Sequence, residues 1–333
     1  MKVDKVGIRD VARNAGVSLG TVSNVMNHPD QVSPQNRAKV FQTMKLLNYI
    51  PSKAAGQLRG QKSGLVGVMV PDIGNLYWAS VIRGVENVCD SAGLGMIVSS
   101  SHQDNKRQIE AFDNLMSYGV DGLIVAPINI FADELQTFRS RFGIVSIGKS
   151  PVVPYVGNNG EEGMYLATKY LIGLGHRHFG FINGKVGVSW CAARRRGVLK
   201  ALHEMGLSAK DSLKTATVED LTVVEGEKGA ETILRRCPGV TALICSNDML
   251  ALGAILEVKK TGRRIPEDLS IVGYDDVEFA EALNPSLTTV RQPSYELGES
   301  AARLLIGDHA EEVRKKEWPV SLIVRNSTGP VSS

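Results

Sequence analysis

Over the first fifty positions apolar residues recur at helical spacing. Ile8, Val11, Ala12 and Ala15 fall at i, i+3, i+4 and i+7, which turns one face of a first helix inward and leaves Arg9, Asp10, Arg13 and Asn14 on other faces. Gly16 ends that helix with the positive φ a tight turn requires, and Val17 plugs the angle that follows. Ser18 is a natural N-cap for a second helix whose inner stripe is Val22, Val25 and Met26. A third helix starts with Ser33 as cap and Pro34 in its first turn, and sets Val40, Phe41, Met44 and Leu47 on one face. Three short helices of this pattern close a small core and leave the second helix outward.

From about Ser63 the pattern changes to short apolar runs separated by amphipathic stretches. Strands are predicted at 65–70, 95–100, 122–126, 144–147, 178–183, 242–246 and 269–274. Helices are predicted at 78–92, 107–118, 160–174, 193–205, 226–235 and 249–261. Such alternation implies doubly wound parallel sheets, and two sets of it imply two lobes. The fold class is therefore an all-α helix-turn-helix head plus a two-lobed α/β core.

A helix-turn-helix places its second helix in the major groove, with the N-terminal residues against base edges. The outward positions here are Leu19, Gly20, Thr21, Ser23 and Asn24. Asn24 has the geometry for a bidentate pair with adenine, Leu19 for a thymine methyl, and Ser18, Thr21, Ser23 and Asn27 for phosphate oxygens. An ordinary three-helix cap is the alternative, and charge argues against it. Residues 1–62 hold ten Lys or Arg and three Asp, a net of +7 in a chain whose total is +3, so the remainder nets −4. That asymmetry suits a chain that meets phosphate at one end; a merely solvated basic face is the alternative.

With 333 residues, 43% of them apolar, the chain has length for the head and a two-lobed core. It has no run of 18 apolar residues and no apolar signal-peptide core, which predicts a cytoplasmic protein without a membrane span. Cys89, Cys191, Cys237 and Cys245 form no CxxC pair and no metal spacing with histidine, so reduced thiols and no metal are expected. No phosphate loop, HExxH, GxSxG elbow or GxGxxG after a strand is present, so neither an enzyme nor a cofactor is expected.

The helix-turn-helix, GLVGVMVPDI, VDGLIV, LGHRHFGFI, SNDMLALGAI and IVGYDDVEFAEALNPSLTTVRQP run the length of the chain. Together they resemble the lactose-repressor (LacI/GalR) family of bacterial transcriptional regulators. The resemblance implies a helix-turn-helix domain at 1–50, a hinge at 51–62 and a ligand-binding and dimerisation core at 63–333. It also implies a periplasmic-binding-protein-like fold, with chain crossings near 158–162, 290–293 and 321–325. The N-lobe would then take about 63–160 and 292–321, and the C-lobe about 161–291 and 322–333.

In that family the hinge becomes helical when two subunits pair over a near-palindromic operator, and a leucine wedges into the minor groove. Leu58 and Ala55 match those positions. Gly56 departs from the family's usual arginine and costs about 1 kcal/mol of helix propensity; a plain flexible linker is the alternative. Asn24 stands where many members carry arginine, which leaves the family's usual operator in doubt at that base. The C-terminus lacks a leucine heptad, so the expected assembly is a homodimer.

The resemblance also implies a small effector between the lobes, a sugar or polyol first, with a nucleoside-type ligand or a protein corepressor as alternatives. A solute-binding protein is a further rival that the basic head disfavours. Arg194, Asn247 and Asp275 match the family's ligand contacts, Asn75, Tyr77 and Trp78 follow the first core strand, and Gln292 lies near a crossing. Trp190 replaces a small polar residue and Leu221 an aromatic platform, which points to a relocated stacking surface or a narrowed pocket. Asp275 could instead hold its own turn, Asp248 could cap the next helix, and Arg194 belongs to a run of three arginines that could face solvent. His176 and His178 are expected to serve packing.

Overall fold

The computed structural model describes residues 6–50, 62–102, 104–126, 135, 143–307 and 315–331. The chain divides into two compact units, Met1–Ser63 and Gly64–Ser333.

In the first unit α1 (Ile8–Ala15) starts at Gly7, whose N–H donates to Asp10 Oδ2 at 3.0 Å. It stops at Gly16, φ 65°, where the Val17 N–H closes onto the Ala12 carbonyl at 3.1 Å. Helix α2 (Leu19–Asn27) is capped by Ser18, whose Oγ accepts from the Thr21 N–H at 3.0 Å. A 3₁₀ turn at Pro29–Gln31 leads to α3 (Pro34–Leu46), capped by Ser33. Val11, Ala12, Val22, Val25 and Val40 are the buried core, with Met26, Met44 and Leu47 packed partly against it. Phe41 departs from expectation and is 50% exposed. The inward stripe runs 40–44–47, and Phe41 falls about 100° round the helix from Val40.

The second unit holds two six-stranded sheets. The first is built from β1 (Leu65–Val70), β2 (Gly95–Ser100), β3 (Gly122–Val125), β4 (Gly143–Ile147), β5 (Tyr155–Asn158) and β11 (Lys315–Trp318), in the order β11-β5-β4-β3-β1-β2. All its pairings are parallel; Val68 stands between Val98 and Ile124. The second is built from β6 (Phe179–Asn183), β7 (Leu213–Thr217), β8 (Ala242–Cys245), β9 (Ser270–Asp275), β10 (Thr288–Arg291) and β12 (Ser321–Ile323), in the order β12-β10-β9-β8-β6-β7. It is parallel except for β12, which runs antiparallel to β10.

Helices α4 (Leu76–Ser91) and α5 (Asn105–Ser117) serve the first sheet. Helices α6 (Gly160–Gly173), α7 (Ser189–Glu204), α8 (Ala209–Ser212), α9 (Val223–Arg236), α10 (Asp248–Lys260) and α11 (Phe279–Ala282) follow. Helix α12 (Ser294–Ile306), which the apolar pattern did not single out, returns to the first sheet and lies against α4. Glycines let helices meet backbone to backbone. A Cβ on Gly84 would lie 2.1 Å from the Tyr295 carbonyl oxygen, and one on Gly197 would lie 2.1 Å from that of Glu161.

The chain passes between the sheets after β5, after β10 and after β11, so the third crossing falls at Pro319 and Val320 rather than at 321–325. Ser321 therefore belongs with the second sheet. Among the described residues no helix is long and apolar enough to cross a membrane.

Candidate functional site

Parallel strands deliver their C-terminal ends to one edge of each sheet, and the loops leaving those ends line one cleft. Pro71 and Asp72 follow β1, Gly148 and Lys149 follow β4, Asn247 follows β8, and Asn158 and Asp275 end β5 and β9. They surround a cavity of about 390 Å³. Asn75, Tyr77, Trp78, Trp190, Arg194, Asn247, Asp275 and Gln292 all line it.

The helix pattern turns Arg194 inward from its run of arginines. It is 8% exposed, its Nη1 donates to the Ser246 carbonyl at 2.8 Å, and its Nη2 stands 3.4 Å from Asp275 Oδ1. Its guanidinium lies 4.1 Å from the centre of the Tyr274 ring. The buried Nε has no hydrogen-bond partner among the described residues. Asp275 is held at φ 118°, a left-handed conformation that side chains other than glycine adopt at a cost. Its Oδ1 also accepts from Gln292 Nε2, and Gln292 Oε1 accepts from Asn158 Nδ2. One polar chain thus runs from α7 through β9 to residues at two of the three crossings.

Burial sets the electrostatics. It pushes the Asp275 carboxyl up to about 7, against the opposing pull of the Arg194 charge and the Gln292 amide. Burial alone would depress Arg194, and the neighbouring Asp275 reverses this and holds its charge more firmly than usual. Burial and then Asp275 push the Tyr77 phenol up.

Two of the cleft amides also do local work. Asn75 Oδ1 accepts from the Tyr77 N–H at 3.0 Å and caps α4; Asn247 Oδ1 accepts from the Leu250 N–H at 2.9 Å and caps α10. Asn247, not Asp248, is therefore the cap. Asp248 instead accepts from the Val277 N–H at 2.9 Å and the Thr289 hydroxyl at 2.6 Å, which ties α10 to the segment after β9. His176 is buried, with Nδ1 2.9 Å from Thr241 Oγ1 and Nε2 3.0 Å from the Gly329 carbonyl, a packing role.

Across the cleft Trp78 on α4 meets Trp190 on α7 edge to face, with ring centres 6.5 Å apart. Leu221 is buried in the same wall. Asp72, Lys149, Asn158, Glu161 and Arg196 also line the cavity and were not anticipated. Asn158 carried a signal, since it stands at the first predicted crossing. Arg196 lay in the same arginine run, two positions beyond Arg194.

In the head, Leu19, Gly20 and Asn24 are exposed on α2, with Thr21, Ser23 and Asn27 half-buried beside them. Ser18 Oγ lies 2.9 Å from Thr21 Oγ1, and Asn27 Nδ2 donates to the Ser23 carbonyl at 2.9 Å. Ala55 and Leu58 lie outside the described residues. No group of three or more His, Cys, Asp or Glu positioned to hold a metal occurs among the described residues.

Residues 7–52 match the DNA-binding segment described as bacterial regulatory proteins, lacI family, and residues 168–328 match a periplasmic binding protein-like domain. The chain is 34% identical over 306 residues to catabolite control protein A of Priestia megaterium, covering 90% of this chain and 91% of that one. It is 32% identical over 328 residues to the HTH-type transcriptional repressor PurR of Aliivibrio salmonicida (strain LFI1238), covering 96% and 98%. Its structure is similar to that of the lac repressor dimer bound to operator and the anti-inducer ONPF, with a TM-score of 0.83 and 28% identity over 98% of this chain and all of that one. A helix-turn-helix head, a two-lobed core with a lined cleft and similarity along nearly the whole chain agree: this protein belongs to the LacI family of transcriptional regulators.

Proposed function

We propose that the protein is a homodimeric repressor whose affinity for a near-palindromic operator is set by a small effector, a sugar or polyol, bound in the core cleft. Residues 1–50 read the DNA, 51–62 couple head to core, and the core from 63 onward pairs the subunits and binds effector. The exposed face of α2 supports the reading role: Asn24 and Leu19 address base edges while Ser18, Thr21, Ser23 and Asn27 and the basic surround address phosphates. Ala55 and Leu58 contribute the minor-groove contact.

The observation that carries the effector reading is the chain Arg194–Asp275–Gln292–Asn158. It places a guanidinium, a carboxylate and two amides around one cavity and reaches residues at two of the three crossings. Such planar groups take hydroxyls in pairs, and a ligand that rearranges them biases the lobes and through them the linkers. The test is to select an operator from a random oligonucleotide pool with the full chain, then titrate sugars and polyols. One should change operator affinity, and Arg194→Ala or Asp275→Ala should abolish that response. A response that survives both substitutions contradicts the assignment.

A further inference from the structure

The residue after the cleft carboxylate opens a second polar centre. Asp276 is also left-handed, with φ 56°, and its side chain is only 5% exposed. Its Oδ2 accepts from Arg291 Nε at 2.6 Å. Its Oδ1 stands 2.7 Å from Arg325 Nη1, a charge contact not aligned as a hydrogen bond. Neither Asp276 nor either arginine lines the cavity.

The two arginines stand at opposite ends of one ribbon. Strands β10 and β12 pair antiparallel through Thr289 with Ile323, Val290 with Leu322 and Arg291 with Ser321. Arg291 and Ser321 close the end at which the chain leaves by the second crossing and returns by the third. Arg325 lies past the other end, where its N–H donates to Thr288 Oγ1 at 2.9 Å and its Nη1 to the Leu287 carbonyl at 2.8 Å. Strand β12 is a three-residue edge strand with this ladder alone to hold it in the sheet. One carboxylate thus grips the ribbon at both ends.

The same turn also reaches the first lobe. The Val277 N–H donates to Asp248 Oδ2 at 2.9 Å, while the Val277 side chain is buried in the cluster that contains Val70, Tyr77 and Leu297. Phe279 packs against that cluster too. Five consecutive residues therefore touch the cleft through Asp275, the ribbon through Asp276 and the opposite lobe through Val277 and Phe279.

We propose that Asp276 is the positioning residue that carries the state of the cleft to the second and third crossings, acting through Arg291 and Arg325 and not by contact with the effector. This rests on the reading that cleft and operator are coupled, and adds the residue that carries the coupling. Reciprocity frees the test from the effector's identity. If filling the cleft alters operator affinity through the crossings, operator binding alters the crossings. Asp276→Asn isolates the charge, because asparagine tolerates left-handed backbone as aspartate does.

The test is hydrogen exchange read by mass spectrometry on the full chain, free and saturated with a duplex selected from a random oligonucleotide pool. In the parent the duplex should slow exchange in segments 156–160, 288–293 and 318–325 by about fivefold or more. In Asp276→Asn, which should still bind the duplex, that slowing should fall below about twofold while β3 and β8 exchange as in the parent. Arg291→Gln alters an arginine side chain that is 56% exposed, so it leaves the core folded and should lose part of the slowing. Slowing that persists undiminished in both variants overturns the role of Asp276 and leaves the coupling standing. No slowing in the parent overturns the coupling reading and the proposal with it. If Asp276→Asn also speeds exchange throughout β3 and β8, its charge serves general stability, and Arg291→Gln decides: undiminished slowing there overturns the proposal, and partial loss with β3 and β8 unchanged upholds it.

Discussion

The outward face of α2 in the head and the floor of the cleft are built for recognition in opposite ways. On α2 Leu19 and Asn24, proposed to meet base edges, stand in water, over five buried apolar residues among those described. In the cleft Arg194 and Asp275 are 8% and 4% exposed and each answers the other's charge. Exposed donors meet a polyanion whose counterions must leave, so salt governs the first contact. Desolvated donors meet a small ligand inside the protein, so geometry and protonation govern the second, and salt barely touches it.

The largest effect that separates the regions is expected from Val22→Asp. A carboxylate at a fully buried position in so small a core should unfold the head and abolish operator binding, while calorimetric effector binding stays within about twofold. Loss of both activities would mean that head and core do not fold independently. Arg194→Ala is the converse. It removes the buried hydrogen-bond partner of Asp275 and of the Ser246 carbonyl and should lower core stability by about 1 to 3 kcal/mol, read by denaturant melts. It should also weaken effector binding roughly ten- to hundredfold. Operator affinity without effector should change little.

Asn24→Ala is a smaller perturbation. It should relax preference at one base pair per half-site by about 1 to 3 kcal/mol in a selection experiment, with the salt slope unchanged. An unaltered selection profile contradicts direct readout. The core should also respond to pH. Asp275 titrates near 3.8 in the unfolded chain and about 7 in the folded one, so folding favours its protonated form. Its contribution to stability is complete below the lower value and is lost as pH rises through about 7. Melting temperatures taken between about pH 5 and 8 should show this fall, and Asp275→Asn should flatten it. Effector affinity should move the other way, weakening as pH drops below 7, because a protonated carboxyl accepts fewer hydroxyl bonds.

The two regions also differ in how legible they were. Helix caps and periodicity expose the head almost completely, since Ser18, Ser33, Gly16 and Pro34 act within one turn of themselves. Phe41 was misplaced because an apolar residue beside the stripe is indistinguishable by type from one within it. In the core the buried strands β1, β3, β8 and β9 announce themselves as apolar runs. The edge strands β7, β11 and β12 do not, because LKTAT, KKEW and SLI face solvent on at least one side. Strand β5 is four residues long and ends in the polar Asn158.

The cleft residues that follow strands could be anticipated from strand ends. The backbone of Asp275 at φ 118°, the pairing of Lys149 with Glu317 across more than 160 positions of sequence, and the meeting of Trp78 with Trp190 are tertiary facts. No local pattern encodes them.

The central claim is that what fills the cleft decides how tightly the head holds its operator. Fluorescence anisotropy with the selected operator, for the full chain with and without saturating effector, tests it most directly. The account predicts a change in operator Kd of about 5- to 150-fold that vanishes in Arg194→Ala. An identical Kd at effector concentrations that calorimetry shows to be saturating would contradict it.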